Sequence, residues 1–363
     1  MRLRSLELRQ FRNYEEFELE TPEELTILVG PNAAGKTNAI EAVQLLTAGR
    51  SFRRPQWGDL VEWGRERASL KIRAEGEQRE VEIGLLVETG GKHTYAVNGQ
   101  AKRRLSEVVG IVPSVVFTPE DLGLVKGPAE ARRDAIDSLG EQLSATFASL
   151  RKDFGRVVRS RNKLLREGAP DRELDPWSQQ LVSFGSRLMV HRVRLLLRLG
   201  ARLTEKYAEL ANGEKLALAY DSNTGEVTEE TDADRIAEEM YRELHRRAGE
   251  ERARQVTLVG PHRDDIAFEI AGRNARAFSS QGQQRTAAIA WKLAEVGVIE
   301  EVAKKKPVLL LDDVMSELDE VRRRALTEVV QRNVQTFVTT TNIEYFEPEL
   351  LERALVVRVG GRR

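Results

Sequence analysis

The sequence predicts an α/β fold built around a nucleotide-binding core, with a helical region inserted into that core. Two segments carry the prediction. Gly30-Pro-Asn-Ala-Ala-Gly-Lys-Thr37 has the form of a phosphate-binding loop, and Leu309-Leu-Leu-Asp-Asp313 has the form of a buried strand that ends in two acids. Because Lys36 and Asp312 are 276 positions apart (312 minus 36), a large body must lie between the two halves of one site.

The loop at Gly30 has the flanks that a phosphate-binding loop requires. Leu25-Thr-Ile-Leu-Val29 reads as a strand, and the residues after Lys36 have helical apolar spacing. Backbone N–H groups of such a loop surround phosphates at a helix N-terminus. In this pattern Lys36 reaches the β- and γ-phosphates, and Thr37 places its hydroxyl on Mg²⁺. The predicted ATP-binding residues here are Gly30, Pro31, Asn32, Ala33, Ala34, Gly35, Lys36 and Thr37.

Composition describes a globular protein with room for roughly two domains: 363 residues, 40% hydrophobic and 32% charged. We find no apolar run of the ~18 residues that a membrane span needs and no signal-peptide pattern. We therefore expect a cytoplasmic protein with no membrane partner. The net charge of −1 means that any nucleic-acid contact must come from a local basic patch, and the absence of cysteine excludes thiolate metal sites.

Strand patterns surround the loop along the first third of the chain. Residues 68–74, 79–87 and 93–97 alternate or carry β-branched residues and are joined by turns, which predicts an antiparallel meander beside a mixed-sheet core. Residues 114–117 form a further buried strand, and a strand pattern returns in 255–266.

The region from 130 to 253 changes to long, charged, helical segments. One apolar stripe has helical spacing and predicts a helix-bundle seam more simply than a partner site. We expect residues 1–129 and 254–363 to form a head that is split in sequence, and 130–253 to form a compact arm. The stripe consists of Leu181, Phe184, Leu188, Leu195 and Leu199.

A second glycine turn, Ser279-Ser-Gln-Gly-Gln-Gln284, directly precedes a helical segment at 286–298. A polar turn before a helix is a second anion-binding geometry. Two such turns in one chain indicate either two nucleotides or one nucleotide shared between two chains. The shared arrangement is typical of ATP-binding cassette (ABC) heads, in which a signature turn of one subunit closes over the nucleotide of the other.

The acidic strand favours the shared arrangement. Asp312 is the expected Mg²⁺ ligand together with Thr37, and Asp313 is the candidate for orienting or deprotonating the attacking water. A buried strand capped by acids in a turn is the alternative for this segment alone. The predicted catalytic residues are Lys36, Ser280, Asp312 and Asp313.

Six motifs together resemble the RecF family, recombination mediators among the ABC-type ATPases with SMC-like heads. They are GPNAAGKT at 30–37, GRSFR at 49–53, FTPEDLGLVKGP at 117–128, GPHRDD at 260–265, SSQGQQRT at 279–286 and LLLDDVMSELD at 309–319. The resemblance covers essentially the whole chain, and SQGQQ in place of LSGGQ is specific to this family.

The resemblance implies a weak Mg²⁺-dependent ATPase that uses ATP as a conformational switch, forms a homodimer on ATP and binds duplex or gapped DNA. It would act in DNA repair, the SOS response and replication restart, helping RecO and RecR to load RecA. Ser280, Gly282 and Gln283 would approach the nucleotide of the other subunit, and Asp319 would line the subunit boundary. Arg12 and Asn13 would touch the γ-phosphate, with a plain surface loop as the alternative.

The chain departs from the general cassette pattern at three points. Asp313 stands where most cassettes have glutamate, residues 338–342 contain no switch histidine, and no Q-loop glutamine is evident near 118–121. These departures predict turnover well below the median of about 10 s⁻¹ for enzymes.

Two basic runs are candidates for DNA contact: 151–166 holds seven basic residues and one acid, and 187–202 holds five arginines and no acid. The alternative is a solvated helix face paired with the acid-rich stretch 226–250. Aromatic residues are sparse, which favours backbone contact over base stacking. Further candidates on the head are Arg50, Arg53, Arg54, Lys102, Arg103 and Arg104.

Other functional classes share some of these features. A generic ABC or SMC-type ATPase of transport or chromosome organisation has the same loop and acidic strand, but a transporter lacks the arm and an SMC tether needs a far longer coiled coil. A small-molecule kinase lacks the turn at Ser280. The cluster His262-Arg-Asp-Asp265 has no second histidine at ligand spacing, so a turn near the nucleotide or the dimer boundary is favoured over a metal site.

Overall fold

The computed structural model describes residues 1–76, 79–331 and 334–360, with only the backbone at 329–331. The chain divides into two compact units, which we call the head unit (Met1–Leu122 with Trp291–Arg363) and the insert unit (Gly123–Ala290). The predicted arm, 130–253, lies within the insert unit, and its domain boundaries stay a prediction. A search of the described residues for a helix able to cross a bilayer found none.

The described strands and helices follow in chain order. The strands are β1 (Arg2–Phe11), β2 (Tyr14–Glu20), β3 (Leu25–Val29), β4 (Arg67–Glu75), β5 (Glu80–Glu88), β6 (His93–Val97), β7 (Gln100–Lys102), β8 (Ser114–Phe117), β9 (Leu216–Asp221), β10 (Asp265–Ile270), β11 (Arg273–Asn274), β12 (Val308–Asp312), β13 (Thr336–Thr340) and β14 (Ala354–Arg358). The helices are α1 (Lys36–Ala48), α2 (Ala129–Leu143), α3 (Ala145–Arg166), α4 (Asp171–Leu210), α5 (Ala233–Arg254), α6 (Ala275–Phe278), α7 (Gln281–Ala303), α8 (Glu320–Gln331) and α9 (Pro348–Leu351).

A five-stranded parallel sheet organises the head unit, in the order β14-β3-β13-β12-β8. The central strand β13 pairs with β3 on one side and with β12 on the other. Its register places Val29 opposite Thr340 and Asp312 opposite Thr339. Carboxyl ends of parallel strands meet at one edge of a sheet, so the phosphate loop and the acidic strand end side by side although they are distant in sequence.

The meander predicted from the sequence forms a separate six-stranded antiparallel sheet, in the order β2-β1-β4-β5-β6-β7. Burial alternates along β4 and β5, as expected for strands with one face on a core. Helix α1 packs on strands of both sheets, and nearly all its residues are buried. The helix that follows the phosphate loop is therefore the common centre of the head-unit core.

Long helices dominate the insert unit, where α3, α4 and α5 pack together. Leu181, Leu188, Leu195 and Leu199 of α4 are buried and Phe184 is partly buried, as the apolar stripe predicts. A small antiparallel sheet, β11-β10-β9, belongs to the same unit.

The strand expected across 255–266 is wrong for most of its length, because a ladder begins only at Asp265. Side chains satisfy the backbone amides before it. Thr257 N donates to Asn162 Oδ1 at 2.7 Å, Leu258 N to Glu251 Oε1 at 2.7 Å, and Gly260 N to Asn223 Oδ1 at 3.2 Å. These three amides have side-chain acceptors, and Val256 N and Arg263 N donate to the carbonyls of Glu251 and Gly260, so five amides of the segment are satisfied without a strand partner.

Candidate functional site

The phosphate loop links β3 directly to α1, which begins at Lys36. Gly35 has a φ of 106°, a left-handed conformation that favours glycine, and a Cβ there would lie 2.7 Å from Asn13 Nδ2. Lys36 is buried, and its Nζ donates to Gly30 O at 2.7 Å and to Pro31 O at 2.9 Å. The loop thus wraps its own lysine at the helix N-terminus, an arrangement that can receive phosphate oxygens.

Thr37 lies near enough to Asp312 for its hydroxyl to lower the pKa of that carboxyl group. Thr339, on the central strand β13, donates from Oγ1 to Asp312 Oδ1 at 2.7 Å. Burial raises the pKa of Asp312, against the lowering effect of Thr339, Thr37 and the charge of Arg53. A hydroxyl and a carboxylate side by side are oxygen donors that fit Mg²⁺. The described residues hold no group of three or more His, Cys, Asp or Glu suited to a metal.

Asp313 follows in a left-handed backbone conformation, with a φ of 52°. Its backbone N donates to Thr339 Oγ1 at 2.9 Å, whereas its Oδ1 is buried without a hydrogen-bond partner. Burial raises the pKa of Asp313; Lys36 lowers it and Glu317 raises it further. A buried acceptor without a partner is costly and rare, so this oxygen is suited to a group delivered with the nucleotide, such as the attacking water.

The loop between β1 and β2 lies against the phosphate loop. Asn13 Nδ2 donates to Ala34 O at 3.3 Å, and Tyr14 Oη donates to Gly35 O at 3.0 Å. Arg12 is bound to Glu41 of α1 through Nε at 3.0 Å and Nη2 at 2.8 Å. The structure therefore brings Arg12 and Asn13 together with the predicted phosphate loop.

The second glycine turn belongs to the insert unit, and its first role is to cap α7. Ser280 N donates to Gln283 Oε1 at 2.9 Å and Gln283 N donates to Ser280 Oγ at 3.2 Å, which is a reciprocal capping box. Gln283 Nε2 also donates to Glu214 Oε1 at 2.7 Å. Ser280 remains exposed and Gly282 half-buried at the start of a 23-residue helix. The approach of these residues to a nucleotide of another subunit stays a prediction.

Asp319 is exposed and precedes α8. Its Oδ1 accepts from Arg322 N at 3.0 Å, and its carboxylate also pairs with the Arg322 side chain. This is the geometry of a helix N-cap, and its predicted place at a subunit boundary is untested.

The sequence reasoning missed four side chains that the fold adds to this site: Tyr14, Glu41, Ser51 and Thr339. Thr339 lies in the stretch where a switch histidine was sought, and there it bridges the two acids. Glu41 falls one helical turn after Thr37, a spacing that could have drawn attention to it.

The basic runs separate into internal and exposed members. Arg151, Arg161 and Arg192 form ion pairs with Asp137 or Glu251. The others include an exposed row on α3, which we call the α3 basic stripe: Lys152, Arg156, Arg159, Lys163 and Arg166. On α4, Arg187, Arg194 and Arg198 are also exposed.

Acids of α5 pair within their own helix. Glu239 pairs with Arg242, Glu243 with Arg246, and Glu250 with Arg254. These pairs argue against the acid-rich stretch as the counter-ion of the stripe.

Within the cluster at 262–265, Asp264 is buried and His262 partly buried in a polar junction of the insert unit, whereas Arg263 is exposed. Asp264 accepts from Tyr220 Oη at 2.6 Å and from Asn223 N at 3.0 Å, and burial raises its pKa to about 6. His262 Nε2 bonds Thr257 O at 3.0 Å, and burial lowers its pKa to about 4. These partners are those of a structural turn.

Comparison with known proteins gives consistent matches. The family model described as the RecF/RecN/SMC N terminal domain matches residues 2–358. Two curated proteins named DNA replication and repair protein RecF are similar: that of Symbiobacterium thermophilum is 40% identical, covering 95% of this chain and 92% of the relative, and that of a Synechococcus strain is 39% identical, covering 99% and 97%.

Solved structures agree with these relatives. The recombination mediator protein RecF with ATP, described in the RecFOR pathway, is 31% identical with a TM-score of 0.89, covering 95% of this chain and 93% of that one. An Smc head bound to the C-winged helix domain of ScpA is 17% identical with a TM-score of 0.58, covering 100% and 95%, which supports the fold alone.

The predicted fold class, an α/β ATPase head of the ABC type with SMC-like architecture, is confirmed by these matches, as is the resemblance drawn from the motifs. The chain belongs to the RecF/RecN/SMC N-terminal domain family, and within it to the RecF proteins.

Proposed function

We propose that this chain is an ATP-dependent DNA-binding protein of DNA replication and recombinational repair, in which ATP joins two copies on DNA. Its relatives are named for DNA replication and repair, and the chain spans nearly their full length. The single observation that carries the biochemical part is the placement of Lys36, Thr37 and Asp312 at one edge of the parallel sheet.

This edge supports ATP binding as follows. The amides at the start of α1 and the Lys36 ammonium offer donors and positive charge to the phosphates. Thr37 and Asp312 would hold Mg²⁺, which when bound supplies charge neutralisation to the phosphates. Asp313 would orient or deprotonate the attacking water through its free oxygen.

We propose that hydrolysis is slow. Asp313 is one methylene shorter than the usual glutamate, and threonine fills the place of the switch histidine. Turnover of purified protein with Mg²⁺ and ATP should fall well below about 10 s⁻¹. A rate near that value would remove the argument for ATP as a timed switch.

We place the second half of the site on another copy of the chain. The Ser280 turn begins a long helix whose N-terminal dipole favours an anion, and the neighbouring Phe278 is largely exposed. Ser280→Arg would place a long, positively charged side chain at the proposed contact between the two copies. It should abolish ATP-dependent dimers while ATP still binds to monomers, and dimers that persist in sedimentation would refute the shared site.

DNA contact is assigned to the arm, 130–253, through the α3 basic stripe. Its members stand at helical spacings of four, three, four and three, so they share one exposed face. Arg156, Arg159 and Lys163 changed together to Glu should weaken DNA binding strongly and flatten its salt dependence, because phosphate contacts release counterions. The matched control is the same base-to-Glu change at three exposed arginines of α5, Arg235, Arg242 and Arg246, which should weaken binding much less.

RecO, RecR and RecA are proposed as partners from the family resemblance, and a cytoplasmic location stays a prediction from the sequence. The test of the whole proposal is sedimentation with and without ATP, repeated with gapped and blunt duplex DNA. We expect ATP-dependent dimers that bind DNA. Monomers under every condition would contradict the proposal.

A further inference from the structure

We propose that Glu41 is a positioning residue of the nucleotide site, which holds the guanidinium groups of Arg12 and Arg53 for contact with the terminal phosphate of ATP. This inference rests on the proposed function, since it requires that the head unit binds ATP.

Glu41 lies inside α1, one turn after Thr37. Residues four apart share a helix face, so the carboxylate lies on the same side of the helix as the Thr37 hydroxyl. Its side chain is 0% exposed. A buried carboxylate needs hydrogen-bond donors and positive charge around it. The residues that supply them show which parts of the chain Glu41 holds in place.

Two loops supply the donors. Arg12, from the loop after β1, forms a bidentate pair with both carboxylate oxygens, at 3.0 and 2.8 Å. From the loop after α1, Ser51 Oγ donates at 2.5 Å and Arg53 Nη1 lies 3.6 Å from Oε2. One carboxylate therefore fixes the loops on both sides of the phosphate-loop helix.

A second layer ties the same loops to the phosphate loop. Arg53 Nη1 donates to Asn38 Oδ1 at 2.7 Å, Asn38 Nδ2 donates to Asn13 Oδ1 at 2.7 Å, and Asn13 reaches the Ala34 carbonyl. Arg53 is thus part of a hydrogen-bonded chain that ends on the loop expected to bind phosphate, and Arg12 is linked to Arg53 through their shared partner Glu41.

The charges do not cancel within this cluster. Two guanidinium groups face one carboxylate, and they retain 20% and 39% exposure for Arg12 and Arg53 while Glu41 has none. A surplus of positive charge, open on one side and beside the phosphate loop, fits an anion with more charge than ADP carries.

The test is Glu41→Gln, which keeps the shape and removes the charge. Affinities for a non-hydrolysable ATP analogue and for ADP are measured by fluorescence with Mg²⁺ present. We expect at least a tenfold loss for the ATP analogue and less than a threefold loss for ADP. Equal losses for both nucleotides, or no loss, would overturn the proposal.

Glu251→Gln is the matched control, because Glu251 is also buried and pairs with an arginine, Arg161, in the insert unit. It should leave the ratio of the two affinities unchanged. If Glu41→Gln does not fold, Arg12→Lys and Arg53→Lys serve instead, since each keeps the charge and loses the planar geometry. Each should lower the affinity for the ATP analogue more than the affinity for ADP. If both variants keep the native ratio of these two affinities, the proposal is overturned.

Coupling is tested by combining Glu41→Gln with Arg12→Lys. If the glutamate acts through the arginine, the two losses should not add. The double variant should then lose no more ATP affinity than the single variant with the larger loss. In nucleotide-free protein, the Arg12 Nε–H should exchange slowly by NMR and rapidly in Glu41→Gln. Failure of the native protein to bind either nucleotide would refute the proposed function, which is a different result from native binding with an unchanged ratio in the variant.

Discussion

The two units each bury a glutamate against arginine, but they do so in different ways. In the insert unit, Arg161 donates to Glu251 at 2.6 Å, to Thr257 at 3.0 Å and to Ser178 at 3.1 Å, and both charged side chains are almost fully buried. In the head unit Glu41 is fully buried, whereas its arginines reach solvent.

This difference separates structural from functional electrostatics. The Arg161 pair is sealed, with one charge of each sign and every side-chain nitrogen of the arginine in a hydrogen bond. The Glu41 cluster is open and carries a surplus positive charge. A sealed pair acts on the free energy of unfolding, whereas an open one is available to a ligand. The first prediction below tests that distinction, and the other two measure stability in the insert unit and chemistry in the head unit.

The largest effect is expected from Arg161→Met. It leaves Glu251 buried without its cation, which costs about 3–5 kcal/mol of unfolding free energy for such pairs. Nucleotide affinity of the folded protein should not change. Denaturant unfolding and nucleotide titration measure the two quantities. Lys163→Met, at an exposed position on the same helix, is the control and should cost at most about 0.5 kcal/mol. Similar losses of unfolding free energy for the two variants would show that the Arg161–Glu251 pair is not sealed from solvent.

A second prediction concerns the buried junction of His262 and Asp264. The pKa of Asp264 is raised to about 6, so its contribution to stability is present in acid and is lost as pH rises through about 6. The pKa of His262 is lowered to about 4, so its contribution is full above its ordinary value and is lost as pH falls toward about 4. Each amounts to roughly 3 kcal/mol, and the two oppose each other.

The native protein should therefore show little net pH dependence from this junction between about pH 4 and 6.5. Asp264→Asn leaves His262 and should become more stable as pH rises, whereas His262→Gln leaves Asp264 and should become less stable. Unfolding free energies at several pH values give the slopes, which are informative even if the variants differ in absolute stability. Slopes of the same sign would contradict the assignment.

The smallest of the three effects on free energy is expected from Asp313→Asn. Turnover should fall roughly 100-fold, because general-base groups contribute at least that much. Unfolding free energy should not fall, because the native Oδ1 is buried without a partner. Retained ATP binding, checked by fluorescence, separates the chemical step from affinity. Unchanged turnover would exclude Asp313 as the base.

Local patterns predicted most of the fold. The bounds 25–29, 93–97 and 114–117 are those of β3, β6 and β8, since apolar alternation and flanking turns are properties of neighbouring residues. The order β14-β3-β13-β12-β8 was not predictable in this way, because three of its four pairings join segments far apart in the chain. The central place of β13, and with it the role of Thr339, depends on that order.

The site was predictable where a motif carries its own geometry and not where the tertiary structure supplies the partners. The Gly30 loop and the acids after β12 are of the first kind. The contacts of Glu41 come from two loops brought to one helix, which no local pattern shows. The turn at Ser280 is a mixed case. Ser280 and Gln283 have capping-box spacing, so residues that suggest a phosphate-binding turn also form the N-terminal cap of a helix.

The order of the parallel sheet also has a consequence for synthesis on the ribosome. Strand β3 carries the phosphate loop, and its two neighbours, β13 and β14, are both made near the end of translation. At roughly 5–20 residues per second, tens of seconds pass before either neighbour emerges. During that time an apolar strand has two unpaired edges, a state prone to association. A nascent chain that stops before β13 cannot assemble the nucleotide site, so ATP binding reports that translation has passed this strand.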